Sequence, residues 1–534
     1  MSPAVTPGSP FDPRRALRRT WGVFFQRFGR LLPIQAEAVP VLLAGRDALL
    51  SAPTATGKTE AAVAPLLERL LASGSPPGGL LYVAPTRALV NDLDRRLAGP
   101  CRDLGLQLAV RTGDRKELKT ARPPHVLLTT PESLDSLLCR APAVFCQTRA
   151  LVLDEIHQVD ANYRGDQLRV LVRRLEAAAG RRPQSAALSA TLADAEATAA
   201  RYLSDPAVCR AGSGRGLELR LAGSLAEAVG ILRETKRLKA VLFCNRRADV
   251  EAVATRLPAE RLWPADAVFA HHGSLPRPFR ERTEAALRQR EWGICAATMT
   301  LELGMDIGDV SAVVLLGPPP TAASFQQRIG RACRREGTIF VVGIAETEWE
   351  RELFEAYAAL AREGQVERTG YAPDPSVIVQ QAFSILYAHP GGVPPADLAG
   401  LLSPLGRPPL LREVLDHLEA EGWLRRTPRS VRAETSLMDL GERGRVHSNI
   451  PDAGEFEVVD AGTGEVVCRA FLQVAVGSVV ALAGRVWEVT GIGRKAVMVR
   501  RCPEGAPETR FGARPQQGAF YRYLPEKLRT PGVR

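Results

Sequence analysis

Paired cysteines are missing from this 534-residue chain: nine are present, an odd number, and no two are spaced C-x-x-C. That spacing excludes a disulfide framework and the ligand pattern of zinc ribbons or iron–sulfur sites, and leaves reduced thiols, mostly buried, as the expectation. Also missing is any apolar run near the roughly 18 residues that would span a bilayer. The first ten residues have neither the basic nor the apolar region of a secretory signal. A cytoplasmic chain without membrane contact is therefore expected. Acidic excess is absent too. The formal net charge is +11, with arginine supplying nearly all of the surplus, and this fits a polyanionic partner.

What is present is ordinary globular composition, 45% hydrophobic and 24% charged. At ~150 residues per domain the chain exceeds what one core serves, and three or four domains are expected. A Pro-rich basic stretch, residues 1–20, reads as a loose arm. In residues 21–210 the apolar runs DALLSA, GLLYVA, HVLLTT, ALVLDE and SAALSA alternate with helical patterns, which predicts a parallel sheet covered by helices. Residues 211–370 repeat the scheme with KAVLFCN, AVFAHHG, GICAAT, AVVLLG and TIFVVG. Two α/β units in tandem leave a cleft between them. Residues 371–450 turn helical in the order of a winged helix, and residues 451–534 become strand-rich and turn-punctuated, which suggests a small β-barrel-like module.

The stretch APTATGKT, residues 52–59, joins a strand-like run to an Ala-rich helical pattern and fits a phosphate loop, with Ala52 where the first glycine is usually written. In such a turn the backbone N–H groups face phosphate oxygens, Lys58 reaches the β- and γ-phosphates, and the Thr59 hydroxyl is available to Mg²⁺. A lone G-K-T also occurs in plain strand–turn–helix units, so a second motif has to decide. LVLDEIH supplies it: Asp154 and Glu155 arrive at the C-terminal end of an apolar strand, where α/β sheets place their ligands. One carboxylate can hold the metal ion and the next can deprotonate the attacking water.

With the DEIH box in hand, the chain resembles the superfamily 2 helicases, and its other motifs follow that family's order from Gln35 to Arg335. The resemblance implies two RecA-like domains that use ATP and Mg²⁺. Gln35 matches the adenine-reading glutamine. Thr54, Gly57, Lys58, Thr59, Glu60, Gly304 and Asp306 match the nucleotide site, with Thr59 and Asp154 as the metal-holding pair. PTRAL (85–89) and TTPESL (129–134) resemble the segments that grip nucleic-acid phosphates. Arg87, Thr130, Asn245 and Thr298 are the side chains carried over for that grip, each of which could equally be a helix cap or a turn residue. His157, Ser189, Thr191 and Gln327 match positions that couple hydrolysis to domain movement. Arg331 and Arg334, three apart on an expected helix, share one face and match the arginines that reach the γ-phosphate only when the domains close.

A narrower resemblance lies in NYRGDQLRVLVRRL after the DEIH box, TMTLELGMDIG, PSVIVQQAFSIL and VVDAGTGEVV, which are similar to the Lhr (large helicase-related) family. It implies ATP-dependent 3′ to 5′ translocation on single-stranded or tailed DNA with duplex unwinding, RNA and RNA–DNA hybrids remaining alternatives, as does an ATP-switched scaffold. Three positions depart from the wider pattern: Ala55 in the phosphate loop, Gln327 at the start of the arginine motif, and Cys333 within it. Trp423 and Trp487 could stack on bases, although core packing is the commoner use of such residues. Oligomeric state is not legible.

Overall fold

The computed structural model describes residues 11–529 apart from 54–55, 75–76, 116–117, 119–121, 213–214, 300–309, 333–336, 367–370, 452–455, 471–473, 494 and 503–517. Thr54, Ala55, Gly304, Asp306, Cys333 and Arg334 therefore lie outside the described residues.

Domain 1 is built on seven strands: β1 (Ala48–Ser51), β2 (Leu80–Val83), β3 (Leu108–Arg111), β4 (Val126–Thr129), β5 (Ala150–Leu153), β6 (Gln184–Ser189) and β7 (Ala207–Arg210). They lie in the order β3-β4-β2-β5-β6-β1-β7, all parallel. The strands β1, β2, β4 and β5 are buried at every residue, because helices cover both faces; this is why they read as continuous apolar runs and not as alternating ones.

The expected loose arm starts earlier as ordered structure. Asp12 caps a short helix, Leu17 is fully buried, and the backbone N–H groups of Arg19 and Thr20 each donate to Glu68 at 2.9 Å. A buried carboxylate needs donors, and Glu68 takes them from this segment. Composition alone gave no sign of that partner.

Domain 2 repeats the scheme with β8 (Gly216–Ala222), β9 (Lys239–Cys244), β10 (Val268–His271), β11 (Gly293–Ala297), β12 (Ala312–Leu316) and β13 (Thr338–Ile344), parallel in the order β10-β11-β9-β12-β13-β8. The helices Ser376–Ala388, Pro395–Leu402 and Pro408–Ala420 follow, then the hairpin β14 (Leu424–Arg426) and β15 (Val431–Ala433), with Val393 bridging to Val431. This is the element order of a winged helix. Leu411, Val414 and Leu418 of the third helix are buried, so its apolar face serves packing.

The C-terminal strands β16 (Phe456–Asp460), β17 (Val466–Ala470), β18 (Val479–Leu482), β19 (Arg485–Ile492) and β20 (Ala496–Arg501) form one sheet in the order β17-β16-β20-β19-β18. Among the described residues β17 and β18 stand at its edges, so the described strands form an open sheet where barrel-like closure was expected. Alternation and turn residues look the same in both, since closure depends on strand tilt and stagger. Residues 518–529 do not belong to this sheet either: Phe520 and Leu524 are buried in the winged-helix core.

Each accessory unit is fastened to one α/β domain through a buried carboxylate. Asp135, fully buried on the domain 1 helix Pro131–Arg140, accepts hydrogen bonds from Arg174 (3.0 Å), Gln167 (2.9 Å), Gln380 (3.1 Å), Gln381 (2.6 Å) and the Ser384 hydroxyl; the last three are on the first winged-helix helix. Asp166 clasps the incoming chain, accepting from the Tyr371 hydroxyl and the Asp374 N–H at 2.7 Å each. On the other side, fully buried Glu251 of domain 2 accepts from the N–H groups of Ala483 and Gly484 (2.6 Å each) in the β18–β19 turn and lies 2.7 Å from His272 Nε2. Around it Val458, Val480, Leu482, Trp487 and Val489 share one core with Val250, Val253 and Ala254.

Candidate nucleotide site

The phosphate loop leaves β1 and enters the helix Lys58–Ala72 through Gly57, whose φ of +81° a side chain would strain. A Cβ there would also sit 2.2 Å from Gln35 Nε2. Gln35 is placed by its own helix: its Oε1 accepts from the Leu32 N–H (2.9 Å), and its Nε2 donates to the Gly57 carbonyl (3.2 Å). The predicted adenine reader is thus tied directly to the phosphate loop. Lys58 turns back on the loop and donates to the carbonyls of Ala52 (2.6 Å) and Pro53 (2.9 Å). Burial, with the positive charge of Arg331, lowers its ammonium below the ordinary lysine value against the pull of Glu155 and Asp154.

Asp154 and Glu155 stand at the C-terminal end of β5, within the same cleft. Asp154 Oδ2 accepts from the Tyr82 hydroxyl at 2.8 Å. Burial and the charge of Glu155 push the Asp154 carboxyl up to about 7, while Glu155 stays below the ordinary carboxylate range. Burial opposes that depression, but the positive side chains around Glu155, His157 when protonated, Lys58 and Arg331, prevail. Glu155 holds φ +44°, a left-handed conformation unusual for a side-chain-bearing residue. Among the described residues its buried Oε2 accepts no hydrogen bond, His157 Nδ1 lying 3.4 Å away. That carboxylate oxygen, with the Asp154 carboxylate and the Thr59 hydroxyl beside it, makes a donor set of hard oxygens suited to Mg²⁺ and water. The residues present therefore fit the MgATP that the sequence implies.

From DEIH the line runs on to SAT. His157 Nδ1 accepts the Ala190 N–H (3.1 Å) and lies 3.2 Å from Ser189 Oγ, so β5 and β6 are linked beyond their ladder. Burial holds the ring below its ordinary value. Thr191 and Gln327 line a second crevice, about 840 Å³, from opposite domains.

Across the main cleft, about 870 Å³ in volume, domain 2 contributes Arg331 and Arg288 to walls otherwise made by Gln35, Lys58, Thr59, Asp154 and Glu155. Arg331 is 2% exposed. Arg331 does not sit on the expected helix: Ala322–Ile329 ends before it, and Arg331 enters the cleft from the turn that follows. Arg328, on the helix, donates to Asn245 Oδ1 at 2.8 Å while Asn245 Nδ2 donates to the Pro318 carbonyl at 2.9 Å. Both ends of the Asn245 amide thus serve domain 2 itself. Thr130 caps the helix Pro131–Arg140 and is buried, Thr298 is buried with its N–H on the His271 carbonyl, and Arg87 is largely exposed near Asp114. Of the four side chains carried over for the phosphate grip, Arg87 and Asn245 are exposed to solvent, while Thr130 and Thr298 are buried.

Several cleft residues escaped sequence reasoning. Tyr82 orients Asp154 from inside an apolar strand. Arg96 holds Glu60 at 2.9 Å. Phe28, 59% exposed, stands at the mouth with the Arg27 guanidinium 4.5 Å from its ring centre. No local pattern marks any of them. Trp487 is buried, donating to the Leu482 carbonyl (2.9 Å), and Trp423 packs on Phe383 and Tyr523, so both are structural. His271 and His272 pair with Glu284 and Glu251.

Two parallel sheets, a phosphate loop and acid pair on one, and an arginine brought from the other define the two-domain core of a superfamily 2 helicase. Residues 32–199 match the DEAD/DEAH box helicase family and residues 223–336 the helicase conserved C-terminal domain. The chain is 32% identical over 364 residues to ATP-dependent helicase Lhr-Core protein 2 of Thermococcus barophilus, covering 59% of this chain and 42% of the relative. Against the Lhr-Core helicase of Methanothermobacter thermautotrophicus the identity is 31%, covering 60% and 43%. The chain thus spans less than half the length of these relatives. In fold it is similar to Mycobacterium smegmatis helicase Lhr bound to ssDNA and AMP-PNP, with TM-score 0.71, 24% identity and coverage of 82% and 63%. The DUF1998 helicase MrfA bound to DNA and AMPPNP gives TM-score 0.77 at 19% identity, covering 92% and 73%. The chain carries the DEAD/DEAH box and helicase C-terminal domains of the superfamily 2 helicases, and in sequence it is similar to the Lhr helicases. Among the described residues no helix is long and apolar enough to cross a membrane.

Proposed function

We propose that the chain is an ATP-driven motor that moves 3′ to 5′ along single-stranded DNA and separates duplex ahead of it. The observation that carries this reading is Arg331 of domain 2 facing Lys58, Asp154 and Glu155 of domain 1 across one cleft. Lys58 and Arg331, with Arg334 beside it in sequence, balance phosphate charge. Thr59 and Asp154 would hold Mg²⁺, which would supply charge neutralisation there. Glu155 takes the proton of the attacking water, which suits a carboxylate kept ionised below its ordinary range. Charge stabilisation by Arg331 is available only while the domains face each other, so turnover and closure are coupled. Through Ser189 and Ala190, His157 passes that state to Thr191 at the crevice shared with Gln327. Direction and the DNA preference rest on the Lhr resemblance. The test compares phosphate release and strand separation on 3′-tailed and 5′-tailed duplexes, in DNA, RNA and hybrid forms. Unwinding of the 3′-tailed DNA alone is expected; ATP turnover without separation of any duplex would leave a switched scaffold instead.

A further inference from the structure

In the stretch NYRGDQL after the DEIH box, Asp166 and Gln167 serve the seam with the winged helix, whereas Asn162 to Gly165 have no part in the roles above. Three adjacent strands of domain 1, β4, β2 and β5, each end in a turn that opens a helix: Pro131–Arg140 capped by Thr130, Arg87–Asp103 capped by Thr86, and Tyr163–Ala179 capped by Asn162. Arg164, second residue of the third helix, joins all three. Its Nε donates to Glu132 Oε1 at 2.7 Å, at the start of the first helix, and its Nη2 donates to the Pro85 carbonyl at 2.5 Å, just before the second. The next residue, Gly165, approaches the chain so closely that a Cβ would lie 2.1 Å from the Val159 carbonyl oxygen. That contact locks the helix start carrying Arg164 to the segment leaving the DEIH box.

We propose that Arg164 is a positioning residue for the nucleic-acid grip: it fixes the spacing of the helix starts in PTRAL and TTPESL and cancels the charge of Glu132 beside them. The inference rests on the proposed motor reading. Helix N-termini and their N–H groups attract phosphate, and a bare carboxylate among them repels it. The guanidinium supplies a planar fork, so two acceptors on different turns are held at one separation. Lysine carries the charge without the fork.

The experiment measures binding of a fluorescein-labelled single-stranded oligothymidylate by anisotropy to the full chain, to Arg164→Ala, to Arg164→Lys and to Arg164→Ala/Glu132→Gln. Arg164→Ala is expected to raise Kd about tenfold, a change of ~1.4 kcal/mol. Arg164→Lys is expected to raise it about threefold, and adding Glu132→Gln to the alanine variant to recover about threefold. A loss of packing alone would not be repaired by removing a carboxylate. Arg164→Ala binding within twofold of the parent, or no recovery with Glu132→Gln, overturns the inference. Should Arg164→Ala not fold, Arg164→Lys decides, and parental binding there overturns it. A parent chain that binds no oligonucleotide defeats the motor reading itself, whereas equal binding by parent and variants defeats this inference alone.

Discussion

Two buried aspartates of domain 1 meet opposite fates. Asp154 in the cleft has a carboxylate neighbour and is pushed up to about 7, while Asp135 in the seam with the winged helix is held well below the ordinary range. Burial raises both. The difference lies in company: Asp135 meets Arg174, His447 and Ser384, and Asp154 meets Glu155 first. A seam whose carboxylate is met by several donors stays shut, whereas a cleft with surplus charge of both signs is built to take in charged ligands. The contrast extends to Glu251, whose donors come from the C-terminal sheet. The molecule therefore divides into domain 1 with its winged helix and domain 2 with its sheet, the cleft lying between.

The comparison breaks most visibly at the chemistry. Glu155→Gln is expected to lower ATP turnover about 10²-fold or more while oligonucleotide binding persists; unchanged phosphate release would remove the base assignment. In the seam, Asp135→Ala leaves Arg174 buried without its carboxylate and is expected to cost about 3–5 kcal/mol in urea unfolding. Asp154→Asn, in contrast, removes one of two crowded like charges, and the ligand-free chain is expected to lose less than about 1 kcal/mol or to gain stability. Similar losses at both aspartates would erase the distinction.

The seam should also respond to pH. Burial alone would lower the His447 imidazole, but Asp135, with Oδ1 at 3.6 Å from its Nδ1, prevails and pushes it up to about 9. A raised folded value means more bound protons in the native state. The contribution is then full below the unfolded value near 6.5 and is lost as pH rises to about 9, a decline on the order of 2–3 kcal/mol. His447→Gln should flatten that slope in unfolding measured from pH 6 to 9. The smallest effect is expected at Trp423, packed against Phe383 and Tyr523. Trp423→Phe should leave single-strand affinity within about twofold, and a larger loss would restore its base-stacking role.

How much was legible follows from the same contrast. Gly57, Lys58, Thr59, Asp154 and Glu155 could be read because each motif is local and its chemistry needs those residue types at that spacing. The continuous apolar strands made both parallel sheets readable. Arg331 became legible through family resemblance, since nothing in its own segment says what lies across the cleft. The Asp135 cluster was not legible: its partners come from residues 167 and 174 and from residues 380, 381 and 384, and no periodicity links them. The same holds for Glu68 and the segment that precedes Trp21, and for Phe520, which returns to a core more than a hundred residues earlier.

The central claim is that the cleft moves while the seams hold. Distances between spin labels on domain 1 and domain 2, and between labels on domain 1 and the winged helix, test it directly when a non-hydrolysable ATP analogue and single-stranded DNA are added together. The first distance is predicted to shorten and the second to stay constant. A first distance that does not respond, or a second that changes as much, would contradict it.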